Sequence, residues 1–251
     1  MRVIKDKAII IESSNIQRAD KLIIFYTMNH GLVKGVAEAA RRMKSKYGSC
    51  FEPLTSVEIS YLQKEDRELV TIQEAVVISS VSQYGKKPEY YFFIFYSTEL
   101  MKEFAVAGKN IRFYKLLEAI QAGIKRDVAL SLLARWTEIQ FLHEHGIIAD
   151  WKNCAVCKKE IMNGNEVRFF SPEGVFKCND CYQIKDIQVK QEAFLLMNKL
   201  LYVKIEQLET LAVNDRLLKR IGSILKVTIQ HHVEKPLRFY EFYRQINNDN
   251  R

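Results

Sequence analysis

Short runs in which hydrophobic and polar residues alternate fill the first third of the chain. In one run Val57, Ile59 and Tyr61 alternate with polar positions, which is typical of a strand with one buried face. Turn-forming residues separate the runs. Five short strands suit a small closed barrel better than a sandwich, which usually has about seven. The pattern therefore predicts an OB-like barrel with strands over 3–11, 22–27, 31–37, 55–62 and 69–78.

After Pro88 the hydrophobic residues recur at three- and four-residue steps. Tyr91 and Ile94 follow this spacing, which favours an amphipathic helix. Another helix is predicted to begin at a potential N-cap, Asp127, and to end at Gly146, a typical C-terminal stop. Further helical segments are predicted over 110–123, 189–202, 215–232 and 237–246.

These elements together predict an α+β fold. Residues 1–80 are expected to form an N-terminal OB-fold β-barrel, and residues 81–251 an α-helical domain. The helical pattern breaks between residues 151 and 188, where four of the five cysteines lie. We predict that this segment is a zinc module inserted in the helical domain.

The cysteines form two matched pairs, Cys154-Ala155-Val156-Cys157 and Cys178-Asn179-Asp180-Cys181, with 20 residues between the pairs. This spacing is typical of two turns that close a tetrahedral four-thiolate zinc site. The alternatives are two thiol-redox motifs or four ordinary cysteines. Four thiolates leave no open coordination position, so the Zn²⁺ is predicted to be structural rather than catalytic. The fifth cysteine, Cys50, is expected to be a small buried hydrophobic residue.

The charge of the chain points to an anionic partner. Lysine and arginine total 38 against 30 acidic residues, a formal charge of +8. Net charge alone is weak evidence, but much of the positive charge is local. A basic surface beside an OB-type barrel can follow a phosphate backbone while aromatic rings stack on bases. The predicted DNA-binding cations are Lys34, Arg41, Arg42, Lys44 and Lys46.

The aromatic residues near this basic stretch are Tyr26, Tyr47, Phe51 and Tyr61. Tyr26 and Tyr61 lie in predicted strands and are expected to fill the barrel. A second group of cations follows helical spacing within 215–232 and can extend the binding surface, although an ordinary exposed helix face shows the same spacing. Its members are Arg216, Lys219, Arg220 and Lys226.

Other functional classes have little support in the sequence. The longest N-terminal apolar run, Ala8-Ile9-Ile10-Ile11, is too short for a signal peptide or a membrane span, so we expect a cytoplasmic protein that does not bind membranes. No P-loop, dinucleotide fingerprint or compact carboxylate cluster indicates an enzyme. A thiol oxidoreductase or a nuclease is therefore a minor alternative. A zinc-ribbon adaptor with a structural barrel, which binds other proteins, is the main one.

Several blocks of the sequence resemble one known family. The first is Gly31-Leu32-Val33-Lys34-Gly35-Val36-Ala37, followed by Ala40-Arg41-Arg42-Met43-Lys44-Ser45 and Phe51-Glu52-Pro53-Leu54. Later come Leu133-Ala134-Arg135-Trp136-Thr137-Glu138, the two cysteine pairs and, between them, Phe169-Phe170-Ser171-Pro172-Glu173-Gly174. In this order and over nearly the whole chain, the blocks resemble the RecO family of DNA repair and recombination proteins. One departure is Val175, where the family often has a second glycine.

The resemblance implies a recombination mediator without enzymatic activity. Such a protein binds single- and double-stranded DNA, anneals strands and helps to load the RecA recombinase onto strands coated by single-strand binding protein. RecR is the partner that the resemblance implies, and the location is the cytoplasm, at the nucleoid. The C-terminal tail of the single-strand binding protein is expected at Arg135, beside Trp136, because an arginine can clamp a terminal carboxylate.

Overall fold

The computed structural model describes residues 2–17, 19–64, 68–84, 87–105, 108–148, 151–162 and 166–239. The chain divides into two compact units, Met1–Lys125 and Arg126–Arg251. Strands of the first unit are β1 Arg2–Asn15, β2 Lys21–Thr27, β3 Gly31–Ala37, β4 Ser56–Gln63 and β5 Val70–Ser79, and its helices are α1 Pro88–Phe104 and α2 Ile111–Lys125. The second unit has helices α3 Leu130–Glu144, α4 Gln191–Tyr202, α5 Ile205–Leu208 and α6 Asp215–His232, with strands β6 Glu166–Phe170, β7 Val175–Lys177 and β8 Ile187–Lys190.

The five strands of the first unit close into a barrel in the order β1-β2-β3-β5-β4. β1 pairs with both β2 and β4 in antiparallel fashion, whereas β3 and β5 run parallel and pair Gly35 with Val70. Phe25 and Tyr61 pack edge to face in the interior, with ring centroids 5.6 Å apart. This is the five-stranded OB-fold, and the predicted fold class is confirmed.

β1 extends four residues beyond its predicted end at Ile11. Its register against β2 shifts between Ile10 and Glu12, so Ile11 is an extra residue at a bulge. Ile10 belongs to the interior cluster of the barrel, whereas Ile9 and Ile11 are buried outside that cluster, so both faces of β1 are covered at this point. The strand continues through polar residues, and its backbone pairs with β2 as far as Asn15.

The second half of the connection between β3 and β4 packs into the barrel core. Tyr47, Cys50 and Phe51 belong to the same buried cluster as the strand residues. The Tyr47 hydroxyl donates to Ile72 O (2.9 Å) and the Cys50 thiol to Ala75 O (3.3 Å), both on β5. Cys50 is therefore a small buried residue, as predicted.

The helices α1 and α2 belong to the same compact unit as the barrel. α1 packs against β1, and Lys102 Nζ lies 2.6 Å from Glu12 Oε2. Gln121 of α2 accepts a hydrogen bond from the buried Ser56 hydroxyl (3.0 Å). The division of the chain into residues 1–80 and 81–251 stays a prediction.

In the second unit α3, α4 and α6 pack on one another. β7, β6 and β8 form a small antiparallel sheet with β6 in the centre, and α4 begins directly after β8. The N-cap position of α3 is Ala129 rather than Asp127, but Gly146 does follow its end with a left-handed φ of 75°. Most of the predicted segment at 237–246 lies outside the described residues. None of the helices in the described part of the chain has both the length and the apolar character that a membrane span needs.

Candidate metal centre and nucleic-acid interface

The two cysteine pairs come together in the second unit. The sulfur atoms of Cys154, Cys157, Cys178 and Cys181 all lie within 4.8 Å of one another. Cys157 Sγ and Cys178 Sγ are 3.7 Å apart, and all four thiols are free. A Zn–S bond of about 2.3 Å places sulfurs of a tetrahedral site about 3.8 Å apart. The donor set and its spacing therefore fit a tetrahedral four-thiolate metal centre.

Backbone hydrogen bonds shape each pair into a tight turn. Lys158 N donates to Cys154 O (3.0 Å), and Lys158 has a left-handed φ of 63°. In the second pair Cys181 N donates to Cys178 O (3.1 Å). The two turns are also joined, because Cys178 N donates to Cys154 Sγ (3.4 Å). Cys154 Sγ therefore accepts a hydrogen bond from the backbone, and such a bond favours the thiolate form of the cysteine.

The thiols differ in how readily they ionise. Burial disfavours ionisation of Cys154, but backbone hydrogen bonds from Cys157, Cys178 and Val156 outweigh it and lower the pKa of Cys154 to about 6. Hydrogen bonding with Cys178 and Cys157 raises the pKa of the Cys181 thiol to about 12. Ionisation of one thiol in the cluster thus makes ionisation of its neighbours less favourable. A bound dication would offset this repulsion, which is why clustered thiols select a soft metal ion.

A group of aromatic rings lies beneath the cysteine turns. Trp151 is fully buried, and its indole donates to Gly174 O (2.8 Å). Its ring packs edge-on against Phe176, with centroids 5.3 Å apart, and Phe176 contacts Phe169 and Phe194 at 4.8 Å. These rings connect the module to α4, which carries Phe194.

A single glycine meets the backbone requirement of the loop before β7. Gly174 has a φ of 61°, and a Cβ at this position would lie 3.2 Å from Ile147 O. The next residue, Val175, is already in β7 with extended backbone. Its departure from the family pattern is therefore accommodated, because only one left-handed residue is needed.

A buried ion pair flanks the second cysteine turn and was not predicted. Lys177 Nζ lies 3.2 Å from Asp186 Oδ2, and both side chains are at least nine-tenths buried. The same carboxylate accepts the backbone N–H of Gln183 (2.7 Å). Since the pair joins the residue before Cys178 to the loop after Cys181, it closes the loop around the turn.

Four of the five predicted DNA-binding cations lie in one connection, and the fifth lies on a strand. Arg41, Arg42, Lys44 and Lys46 share the β3–β4 connection, whereas Lys34 is exposed on β3 itself. Arg41 N donates to Ala19 O (2.8 Å) beside the β1–β2 turn. Lys46 Nζ donates to Gln73 O on β5 (2.6 Å). Between these anchors the connection is open to solvent, and its side chains at 41, 42 and 44 are exposed.

The aromatic residues near these cations are in the core. Tyr26, Tyr47, Phe51 and Tyr61 are at most 4% exposed. Tyr61 fills the barrel, as predicted. Tyr26 is buried too, but it lies outside that interior cluster and packs against Phe113 of α2, with ring centroids 6.0 Å apart. Tyr47 and Phe51 do not offer stacking surfaces for bases, because their rings pack on each other at 4.9 Å inside the barrel. The basic connection thus presents cations without an exposed ring from this set.

Arg135 on α3 is held by its own helix and by α6. Its Nη2 lies 2.6 Å from Glu138 Oε1, and about a fifth of the arginine side chain (19%) is exposed. Its Nε is buried without a hydrogen-bond partner. A Cβ on Gly222 of α6 would lie 1.3 Å from Arg135 Nη1, so the guanidinium lies directly against this glycine. An isolated glycine within a helical pattern was the sequence signal for this close approach.

Trp136, the other residue predicted at the tail site, faces the interior. It is 4% exposed, and its indole donates to Val203 O (3.1 Å). The ring therefore supports α3 beside Arg135 and leaves little surface for a partner.

Two family models cover most of the chain. The model described as "Recombination protein O N terminal" matches residues 1–81, and "Recombination protein O C terminal" matches residues 87–241. The chain belongs to the RecO family. The predicted resemblance is confirmed, and membership associates the chain with DNA repair.

Curated relatives match over at least nine-tenths of the chain. The DNA repair protein RecO of Desulforamulus reducens is 23% identical over 257 residues, which is 100% of this chain and 97% of that protein. The protein of the same name from Caldicellulosiruptor bescii is 23% identical over 98% of this chain and 100% of its own length. That from Thermodesulfovibrio yellowstonii is 25% identical over 90% of each chain.

Proposed function

We propose that the chain is a recombination mediator that binds single- and double-stranded DNA and anneals strands. We also propose that it helps to load RecA onto DNA coated by single-strand binding protein. The observation that carries the DNA-binding part is the exposed basic connection on the OB barrel. It is anchored between the β1–β2 turn and β5. OB-folds bind oligonucleotides with the face of strands 2 and 3 and the loops between strands 1 and 2 and between strands 4 and 5. The basic connection follows strand 3 and contacts the β1–β2 turn through the Arg41 backbone.

Lys34, Arg41, Arg42, Lys44 and Lys46 are proposed to contact phosphates. Arg42 and Lys44 are exposed, and Met43 between them is fully exposed (102%). Cations that project in this way contact the backbone without reading bases. The absence of stacking from Tyr47 and Phe51 suits binding that depends on charge rather than on sequence.

We propose that Cys154, Cys157, Cys178 and Cys181 hold a structural Zn²⁺. The ion would join two turns that lie far apart in the sequence, and four thiolates would leave it no open position for water. A hydrolytic role is therefore not part of the proposal, and the protein is proposed to act without enzymatic turnover.

The proposed protein partners are RecR, RecA and the C-terminal tail of single-strand binding protein, and the proposed location is the cytoplasm at the nucleoid. For the tail, Arg135 is proposed as the residue that binds the terminal carboxylate, with Trp136 packed behind it. A guanidinium has five N–H donors, so its pairing with Glu138 leaves others for a second carboxylate.

The DNA-binding proposal is tested by titrating fluorescent single-stranded DNA across a salt series. The Arg42→Ala/Lys44→Ala variant removes two exposed cations of the β3–β4 connection, and adding Arg41→Ala and Lys46→Ala removes all four cations of that connection. Lys109→Ala/Lys115→Ala is the matched control, because it removes two exposed charges from the same unit. For single strands each lost phosphate contact should flatten the log–log salt slope by about 0.7.

A double variant whose slope drops by more than about one while the control keeps the wild-type slope supports the proposal. Equal slopes for wild type and all variants would contradict it and would favour a protein-binding adaptor. Chelator-insensitive turnover of nucleic acid would contradict the non-enzymatic assignment.

The tail proposal is tested with two peptides that differ only at the C-terminus. A peptide of the tail sequence with a free carboxylate should bind more tightly than its amidated form. Arg135→Lys should abolish that difference, because lysine keeps the charge but lacks the planar pair of N–H donors that binds a carboxylate through both oxygens. Arg126→Lys, at an exposed ion pair with Glu209, is the control. If the amidated peptide binds wild type equally well, Arg135 does not bind the carboxylate.

A further inference from the structure

The exposed face of α6 is more strongly basic than its packing requires. Leu218, Ile221 and Leu225 are buried on the inner face of the helix, which packs against α3 and α4. The outward positions include Arg216, Lys219, Arg220 and Lys226. The first three are exposed, and Lys226 is half-buried. The chain has no acidic residue from 216 to 233, so the face has no negative charge of its own.

The three exposed cations of this face, Arg216, Lys219 and Arg220, are not neutralised by ion pairs with the described residues. Asp215, at the start of the helix, accepts a hydrogen bond from the Ser131 hydroxyl (3.0 Å), and Glu138 of α3 pairs with Arg135.

The positions of the cations are also unfavourable for the helix itself. Residues three and four apart on a helix are neighbours, so Arg216, Lys219 and Arg220 repel one another. They occupy the first two turns, where the helix dipole favours acidic rather than basic side chains. The amphipathic pattern requires polar residues on this face but not like charges. The stability of α6 therefore does not explain them.

We propose that this face of α6 is a second phosphate-binding surface, in the C-terminal unit, that contacts the backbone of a DNA strand. The inference rests on the proposed DNA-binding function and adds a site separate in sequence from the barrel cations. From Arg216 to Lys226 the face runs about 15 Å along the helix, enough to span several phosphates. Two basic surfaces on one chain would allow it to hold two strands, which annealing requires.

A nucleic-acid backbone fits this face better than an acidic peptide does. Peptides that bind helices usually insert apolar anchors into a groove. On α6, Val227 is the single exposed large apolar residue. Cations that share one face without apolar anchors or exposed rings are typical of contacts with phosphates, which do not depend on base sequence.

The test uses the full-length protein with fluorescent single-stranded oligothymidine in a salt series. The Arg216→Ala/Lys219→Ala/Arg220→Ala variant removes the exposed cations and leaves Lys226 in place. The matched control, Lys159→Ala/Lys199→Ala/Lys235→Ala, removes three exposed charges of the same unit from other elements. The log–log salt slope of the α6 variant should be smaller than that of wild type by about two. Between 50 and 200 mM salt, the decrease in its affinity should therefore be about tenfold smaller than the decrease seen for wild type. The control should keep the wild-type slope.

A charge-reversal variant separates binding from folding. Arg216→Glu/Arg220→Glu should bind DNA more weakly than the alanine variant, while its melting temperature should stay at or above that of wild type because acidic residues suit the first turns of a helix. A lower melting temperature together with unchanged DNA binding would mean that the cations serve the fold, and would overturn the proposal.

Three other outcomes are informative. Equal slopes for the α6 variant and its control overturn the inference alone, provided that the barrel variants still lose binding. Loss of binding to a polyglutamate peptide with unchanged DNA binding overturns it in favour of an acidic protein partner. If wild type shows no salt-dependent DNA binding, both the inference and the proposed function fail.

Discussion

The barrel closes on itself through backbone hydrogen bonds, whereas the cysteine module depends on side chains from two short turns. Every barrel strand pairs with a neighbour on each side, and the interior is filled by rings and branched residues. The strands of the module are five, three and four residues long. Its two cysteine turns meet at sulfur atoms, 20 residues apart in sequence. In the barrel, pairing between distant strands holds the fold, and in the module we expect a metal ion to do so.

The largest expected effect is loss of the module on metal removal. Chelation, or Cys178→Ser, should unfold residues 151–190, because a structural zinc contributes on the order of 10 kcal/mol to small domains of this kind. Hydrogen exchange should then show lost protection in β6 to β8 and unchanged protection in β2 and β4. Metal content measured by mass spectrometry should be one ion per chain for wild type.

Cys50→Ala is the matched control for the cysteine variant. It removes a thiol from the barrel and should leave metal content unchanged. If Cys178→Ser keeps both its metal and its exchange protection, the cluster is not a structural metal centre.

The second prediction concerns a substitution in the core of the barrel. Phe25→Ala removes a fully buried ring that contacts Tyr61, and it should lower the free energy of unfolding of the first unit by about 3 to 5 kcal/mol. Denaturant unfolding followed by hydrogen exchange measures this change. Metal content should not change. A parallel loss of metal would mean that the two regions are not independent.

Alkaline pH should also act on the barrel unit. Burial, with a smaller contribution from Asp6, raises the pKa of Tyr61 from 10.0 to about 12. For Tyr114 the pKa also rises to about 12, through burial and then the charges of Glu118 and Asp6. Since the folded-state pKa values lie above the ordinary value, the stabilisation is complete below about pH 10 and is lost as pH rises through about 12. The loss should be of the order of 2 kcal/mol for each ring.

Thermal unfolding across this pH range, with tyrosinate absorbance as a second signal, checks the alkaline effect. Tyr61→Phe and Tyr114→Phe should each remove part of the pH dependence. An unchanged profile in the double variant would show that other groups cause it.

The smallest effect is expected within the module. Trp151→Phe keeps the aromatic packing but loses the hydrogen bond to Gly174 O, which should cost about 1 kcal/mol. Zinc affinity, measured by competition with a chromogenic chelator, should fall by less than about tenfold. A loss as large as that of Cys178→Ser would mean that the indole, rather than the metal, holds the module together.

Local patterns predicted much of both regions. The alternation at Val57, Ile59 and Tyr61 reports burial directly, and the predicted boundaries of the second and third strands lie within one residue of β2 and β3. The paired cysteines were recognisable because ligand spacing is a local property. The sequence did not predict the end of β1, because residues 12–15 are polar and do not alternate with hydrophobic residues. They are a strand only because their backbone pairs with β2.

The sequence by itself determined the OB-fold class, the matched cysteine pairs, the positive charge of the β3–β4 connection and the family. The first three follow from periodicity, spacing and composition, which are properties of neighbouring residues, and the family follows from the resemblance of several sequence blocks. Only the tertiary structure decided that Tyr47 and Phe51 enter the core and that Arg135 lies over Gly222. The sequence also could not place Lys177 beside Asp186. Such contacts join residues far apart in the chain or depend on which way a loop folds, and burial of a ring or a charge is set by the surroundings that the fold provides.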